Sequence, residues 1–133
     1  MLTGRCLCGA IEYEVLGVPY HQTNCHCMMC RRSAGAPVVT WFSVPRDTFR
    51  IISGTPTIYH SSAFARRSFC PTCGSNLTFE SDRAPDEIDI TTCTLDDPGA
   101  VPPQDQIHTS SRLPWMPEDA HLPAFLEERN DPQ

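Results

Sequence analysis

Ile11, Tyr13 and Val15 alternate with Glu12 and Glu14, a period of two that gives a strand one apolar and one wet face. Gly17 and Pro19 end it. Val38 to Phe42 is a β-branched and aromatic run, and Thr48 to Ile52 is another. The turn residues Ser53-Gly54-Thr55-Pro56 lead into Thr57-Ile58-Tyr59. Further strands are predicted at Ala65 to Phe69, at Leu77 to Glu80 and in the alternating Glu87-Ile88-Asp89-Ile90-Thr91. About seven short strands with little helical periodicity predict a mainly β fold of short antiparallel strands.

From Pro98 onward the texture changes. Seven of the thirteen prolines lie there, and proline both removes a ladder donor and fixes φ, so an irregular segment lying on the body is expected. One short helix is predicted, from Pro123 to Arg129, and residues 130–133 read as a frayed tail. With no repeat and no linker between two cores, residues 1–129 are expected to form a single domain, a size at which one apolar core is feasible.

Charge narrows the partners. Ten basic against sixteen acidic residues leave a formal charge of -6, which disfavours nucleic acid and anionic lipid, both of which need clustered positive charge. All ten basic residues are Arg, so neither a Schiff-base lysine nor a P-loop lysine is available. The N-terminal residues form no apolar leader, and no run of about 18 apolar residues occurs. A cytoplasmic protein with no membrane partner is expected, as a monomer or homodimer.

Eight cysteines in 133 residues require an explanation. In a reducing compartment cysteines serve as metal ligands or catalytic groups more often than as cystines. They also fall into tight groups: Cys6-Leu7-Cys8, Cys25-His26-Cys27-Met28-Met29-Cys30 and Cys70-Pro71-Thr72-Cys73, with Cys93 apart. Cys70-Pro71-Thr72-Cys73-Gly74 has the form of a zinc knuckle, and a structural zinc needs four ligands. Cys6 and Cys8, placed on one face of an extended strand, are the complement. Cys25, Cys27 and Cys30 then form a second site with three protein ligands and an open position, the pattern of a catalytic or exchangeable zinc. Three thiolates donate much charge to the ion, which suits it to hold and ionise an incoming thiol better than to acidify water. Thiol addition or exchange is the expected chemistry.

The neighbouring residues have simpler readings. His26, between two ligands, is expected on the opposite face, as a packing or hydrogen-bonded surface histidine or as a fourth ligand. Met28 and Met29 are expected in or beside the site. Arg31-Arg32 and Arg66-Arg67 flank the cysteine groups, and Arg31 and Arg66 are candidates to hold the carboxylates of a small anionic thiol. Cys93 is expected to be a buried structural residue in a strand from Ile88 to Thr94. His21, His60, His108 and His121 lack a metal-spaced partner and read as structural or surface groups.

Three motifs carry a resemblance. Gly4-Arg5-Cys6-Leu7-Cys8-Gly9-Ala10-Ile11-Glu12-Tyr13-Glu14, Cys25-His26-Cys27-Met28-Met29-Cys30-Arg31-Arg32-Ser33-Ala34-Gly35-Ala36-Pro37 and Phe69-Cys70-Pro71-Thr72-Cys73-Gly74-Ser75-Asn76-Leu77 resemble the glutathione-dependent formaldehyde-activating enzyme family, which includes centromere protein V. Leu95-Asp96-Asp97-Pro98 and Pro114-Trp115 resemble its later landmarks, so the likeness runs from about Gly4 to Pro123. It implies a β-tent fold, a structural zinc on Cys6, Cys8, Cys70 and Cys73, and an exchangeable zinc on Cys25, Cys27 and Cys30. The implied activity is that of S-(hydroxymethyl)glutathione synthase, a carbon–sulfur lyase that joins glutathione to formaldehyde. Where such proteins read His-Ile-Trp, this chain has Gln106-Ile107-His108, which makes His108 a candidate substrate-binding residue. The same departure motivates the alternative, a non-catalytic zinc-stabilised module that binds a small molecule or a protein.

Overall fold

The computed structural model describes residues 1–116 and 122–129. The order along the chain is β1 (Leu2–Arg5), β2 (Glu12–Val15), β3 (Tyr20–Cys25), α1 (Met28–Ala34), β4 (Val39–Pro45), β5 (Phe49–Ser53), β6 (Thr57–Tyr59), β7 (Ala65–Phe69), β8 (Asn76–Ser81), β9 (Glu87–Thr91) and β10 (Asp105–Ile107). Strands β1-β2-β5 form one antiparallel sheet. The other sheet has the order β10-β3-β4-β9-β8-β7-β6 and is antiparallel except where β10 runs parallel to β3. The fold is mainly β, as the alternation and the turn signals predict.

Strand β4 shows how sequence period becomes architecture. It is buried on both faces, and successive side chains point to opposite sides of a sheet. Phe42 and Val44 enter the main core, where Ile88 and Ile90 of β9 meet Tyr13 and Val15 of β2 from the smaller sheet. Each such side chain contributes about 1.5–3 kcal/mol when fully buried. Trp41 and Ser43 point the other way. The wide sheet therefore has the core on one face and a cavity on the other.

Four elements escaped the periodicity. β1, β3 and β10 are short or polar; β3 reads Tyr-His-Gln-Thr-Asn-Cys because part of its surface faces the cavity. Helix α1 spans only seven residues and buries only Cys30, so it has no apolar stripe. It starts where Cys27 Sγ accepts from the amide of Cys30, and ends at Gly35, whose φ of 61° is costly for other residues. The predicted helix from Pro123 to Arg129 is corrected: these residues form bends, with Pro123 at its head and no apolar period to dock it. The expected tail, 130–133, lies outside the described residues, as does His121.

Gly4 reports how closely the two sheets' connections approach. A Cβ there would lie 2.6 Å from the carbonyl oxygen of Thr94 and nearer still to the Tyr13 ring. Tyr13 Oη is itself hydrogen-bonded to Thr94 Oγ1 at 2.7 Å, so neither neighbour can yield freely. Gly4→Ala is expected to cost about 1–3 kcal/mol through overpacking, read as a melting temperature roughly 5–10 °C lower by circular dichroism. An unchanged melt would show that the contact relaxes at no cost.

Candidate metal centres and cavity

Two groups of cysteines assemble, each with its sulfurs within 4.8 Å of one another: Cys6, Cys8, Cys70 and Cys73, and Cys25, Cys27 and Cys30. The first group joins the two sheets. Cys6 and Cys8 stand in the turn after β1, where the amide of Gly9 donates to the carbonyl of Cys6 at 3.1 Å. The expected extended Cys-x-Cys pair is thus corrected to a tight turn, because β1 ends at Arg5. Cys70 and Cys73 sit in the turn between β7 and β8, closed by the Gly74 amide donating to Cys70 at 2.8 Å. Amides of Ile11 and Cys73 donate to the sulfurs of Cys6 and Cys70, at 3.3 and 3.5 Å, as suits thiolates.

The donor geometry tests whether a cation fits. Tetrahedral ligation with metal–sulfur bonds of about 2.3 Å places sulfurs about 3.8 Å apart. Cys6 to Cys8 is 3.6 Å and Cys8 to Cys70 is 3.8 Å. The residues fit a four-coordinate ion, and Cys6 and Cys70 are buried with Ile11 and Leu77 in a small core of their own.

The second group is built at a strand-to-helix junction. Cys25 ends β3, Cys27 caps α1, and Cys30 lies one turn into it. Cys25 and Cys30 are buried against Val39 and Trp41, with Cys27 at the edge. The Cys30 thiol is pulled down to about 5 by its hydrogen bond from Cys25, with Cys27 and Arg67 adding to the effect against burial. The bond to Cys30 and then burial push Cys25 upward. One thiolate is thus favoured even among the protein groups alone.

These three cysteines line a cavity of ≈ 530 Å³, within the range of small-molecule sites. Met28 and Met29, Trp41, Phe64, Phe79 and Ile107 supply its apolar lining. Arg67 is its only arginine. Although 7% exposed, Arg67 is satisfied: it donates to Cys30 Sγ at 3.7 Å and Ser33 Oγ at 3.3 Å, and its guanidinium lies 5.1 Å from the Phe79 ring centroid and 5.9 Å from that of Trp41.

Other candidates are placed differently. Arg66, one residue along β7, faces away and pairs with Glu80 and Asp82. Arg31 lies in a separate hollow with Leu113 and Trp115. His108 does line the main cavity. His26 is neither a surface residue nor a member of the cysteine group: it is 2% exposed, and its Nε2 is 2.9 Å from Oε1 of Gln106. Arg112 donates to the same oxygen at 3.1 Å, which fixes the segment after β10 beside the cysteines. Cys93 is corrected from buried to exposed, since β9 ends at Thr91 and a 3-10 turn over Thr92–Thr94 breaks the alternation. Two residues that sequence reasoning passed over are Arg67 and Asp89. The alternation could have indicated Arg67, because Ala65 and Arg67 share a face of β7.

Asp89 is partly buried on the cavity face of β9. Ser43 Oγ donates to its Oδ1 at 2.5 Å. Burial raises its carboxyl to about 6, with Glu87 and Cys30 adding and Ser43 and His21 opposing.

The family described as glutathione-dependent formaldehyde-activating enzyme matches residues 1–111. The chain belongs to this family. A protein of Halomonas elongata named "Putative glutathione-dependent formaldehyde-activating enzyme" is 27% identical over 139 aligned positions, covering 98% of this chain and 78% of that protein. An uncharacterized lyase of Schizosaccharomyces pombe is 32% identical over 78 residues, 57% of this chain and 55% of the relative, so the match spans about half that protein. A crystal structure of a Rhodobacter sphaeroides protein superposes with a TM-score of 0.65 at 25% identity, covering 78% of this chain and 98% of the other. The family's members and the named relatives are enzyme-like, and the cysteine groups of this chain are fit for metal. No helix among the described residues is long and apolar enough to cross a membrane.

Two predictions follow from the geometry. Cys70→Ser should abolish the folded state, because small structural metal sites supply folding free energy on the order of 10 kcal/mol, whereas Cys27→Ser should keep it. Equal loss of stability in both, by thermal melting with metal analysis, would refute this division. Asp89 provides the second. Its folded carboxyl binds a proton more tightly than an unfolded one, so stability falls as pH rises from about 4 to about 6. Asp89→Asn keeps an acceptor for Ser43 and should gain on the order of 2 kcal/mol at pH 7, a gain that disappears below about pH 4. A lower melting temperature for the variant at pH 7 would contradict this.

Proposed function

We propose that this chain is a zinc-dependent enzyme of carbon–sulfur chemistry, joining a small thiol such as glutathione to a small aldehyde such as formaldehyde. The single observation that carries the reading is a three-cysteine group opening into a half-open, aromatic-walled cavity. The four-cysteine group is read as a closed structural zinc site and Cys25, Cys27 and Cys30 as the exchangeable one. A zinc ion held by the three would supply the Lewis acidity that keeps an added thiol ionised at neutral pH.

The protein's own groups account for the rest. Arg67 places a fixed positive charge beside Cys30, which offsets part of the negative charge that an arriving thiolate must approach. Trp41, Phe64 and Phe79 exclude water and hold the reactants together. His108 stands on the same cavity wall and is read as a substrate contact. In the reaction, a sulfur lone pair forms the bond to the carbonyl carbon. The π pair moves to oxygen, which takes up the proton that the thiol released. The product is a hydroxymethyl thioether, and the reverse step is the lyase direction.

Saturation-transfer NMR of aldehyde–thiol exchange tests the proposal. Zinc-loaded protein should accelerate exchange at neutral pH, and Cys27→Ser should return it to the uncatalysed rate. A thiol that binds with no acceleration in either form would favour the binding-module reading.

A further inference from the structure

Electrostatics at the far end of the cavity are unlike those near the cysteines. Arg67 and Asp89 both stand opposite Phe79, on the strands to either side: Arg67 pairs with Phe79 between β7 and β8, and Phe79 with Asp89 between β8 and β9. Ser43 continues the row on β4. Two strand spacings separate the backbones of Arg67 and Asp89 by about 10 Å. A cation, an aromatic ring and an anion thus follow one another across the cavity face. Arg67 is committed to Cys30, so that end is already marked as the sulfur end.

Among the described residues no arginine reaches the anionic end, and the basic side chain beside it is the mostly exposed His21. Ser43 is the single hydrogen-bond donor to Asp89, and no ion pair includes Asp89 among the described residues. Glu87, two residues away on the same face, is hydrogen-bonded by the Tyr20 hydroxyl and lies 3.8 Å from His21, itself mostly exposed. Asp105 adds a third carboxylate to the lining, against the one Arg. A partly buried carboxylate without a counter-ion costs stability unless something else compensates it. The apolar ring of Phe79 between the two ends suits a hydrocarbon spacer, not a second charge.

We propose that Asp89, assisted by Glu87, is a docking point for a primary ammonium group on the ligand, so that the thiol accepted by this cavity is an aminothiol bound with its sulfur toward Cys25, Cys27 and Cys30. The inference rests on the thiol chemistry proposed above. A thiol whose charges are only carboxylates finds no uncommitted arginine among the described residues of these walls. Two sources share the required chemistry: a peptide thiol with a free amino group, of which glutathione is one, and a simple aminoalkanethiol.

Isothermal titration of the zinc-loaded full chain separates these cases. Aminohexanethiol should bind about tenfold more tightly than mercaptohexanol, the value expected for one charge-assisted contact. Asp89→Asn should abolish the preference and Glu87→Gln should reduce it. If glutathione also exceeds its N-acetyl derivative by a similar factor, and Asp89→Asn removes that difference, the natural source is a peptide thiol. If only aminohexanethiol shows the effect, it is a simple aminothiol. Equal affinity for aminohexanethiol and mercaptohexanol in the unmodified protein, or a preference untouched by both substitutions, would overturn the ammonium site. Hexylammonium, which lacks sulfur, isolates the underlying reading. Should it bind as tightly as aminohexanethiol while still losing affinity in Asp89→Asn, the thiol chemistry fails and the ammonium site stands.

Discussion

Four thiols brought within 4.8 Å of one another constrain the rest of this fold. Cys6 and Cys8 belong to the turn that leaves the three-stranded sheet; Cys70 and Cys73 belong to the β7–β8 turn of the wide sheet. Their meeting fixes one sheet against the other across a separation of 62 residues in sequence. Several thiolates cannot be ionised this close together without a cation to offset their repulsion. The amides that donate to Cys6 and Cys70 orient the sulfurs but carry only partial charge. A cation bound by these sulfurs would make metal affinity and sheet docking one equilibrium at this corner, where Cys6 and Cys70 pack with Ile11 and Leu77 beside the main core of Tyr13 and Phe42.

The second cysteine group is held by a different logic. It depends on a junction where a strand ends and a helix begins, so that Cys25, Cys27 and Cys30 converge from two elements. Among the described residues none closes fully over Cys27, which is half-buried and lines the cavity. The wide sheet supplies the separation of tasks: on β4 and β9, Trp41, Ser43, Glu87 and Asp89 line the cavity, and Phe42, Val44, Ile88 and Ile90 enter the core. A substitution at Trp41, Ser43 or Asp89 can thus reshape the cavity without replacing Phe42, Val44 or Ile90.

This alternation also explains which parts of the molecule were legible in the sequence. The cysteine groups were readable because short-range ligand spacing is written directly in the chain, and the apolar strands because their period is two. The helix over Met28–Ala34 was not, because its N-terminus is capped by a cysteine and its single buried residue is another. Asp89 was misleading for a related reason. A charged residue alternating with isoleucine reads as solvent-facing, yet a polar face turned to a half-open cavity has the same pattern. Between Arg66 and Arg67, sequence offers two equal cations; the strand's bounds are readable, but only the burial of Ala65 decides which of the two shares its inward face.

Asp89 and Arg67 show how the two ends of the cavity differ in what they cost. Arg67 is nearly as buried as a charged residue can be, yet it stacks on two aromatic rings and donates to a serine and to Cys30, so its desolvation is offset inside the protein. Asp89 has one donor, Ser43, and a neighbouring carboxylate that opposes it. A sheet interior selected for stability alone would replace such a group with an amide or an apolar residue. Destabilisation concentrated on a ligand-facing residue is the usual mark of a surface shaped for binding rather than for folding. The charge asymmetry therefore has the same origin as the cavity itself: both are features of the sheet face that the core does not use.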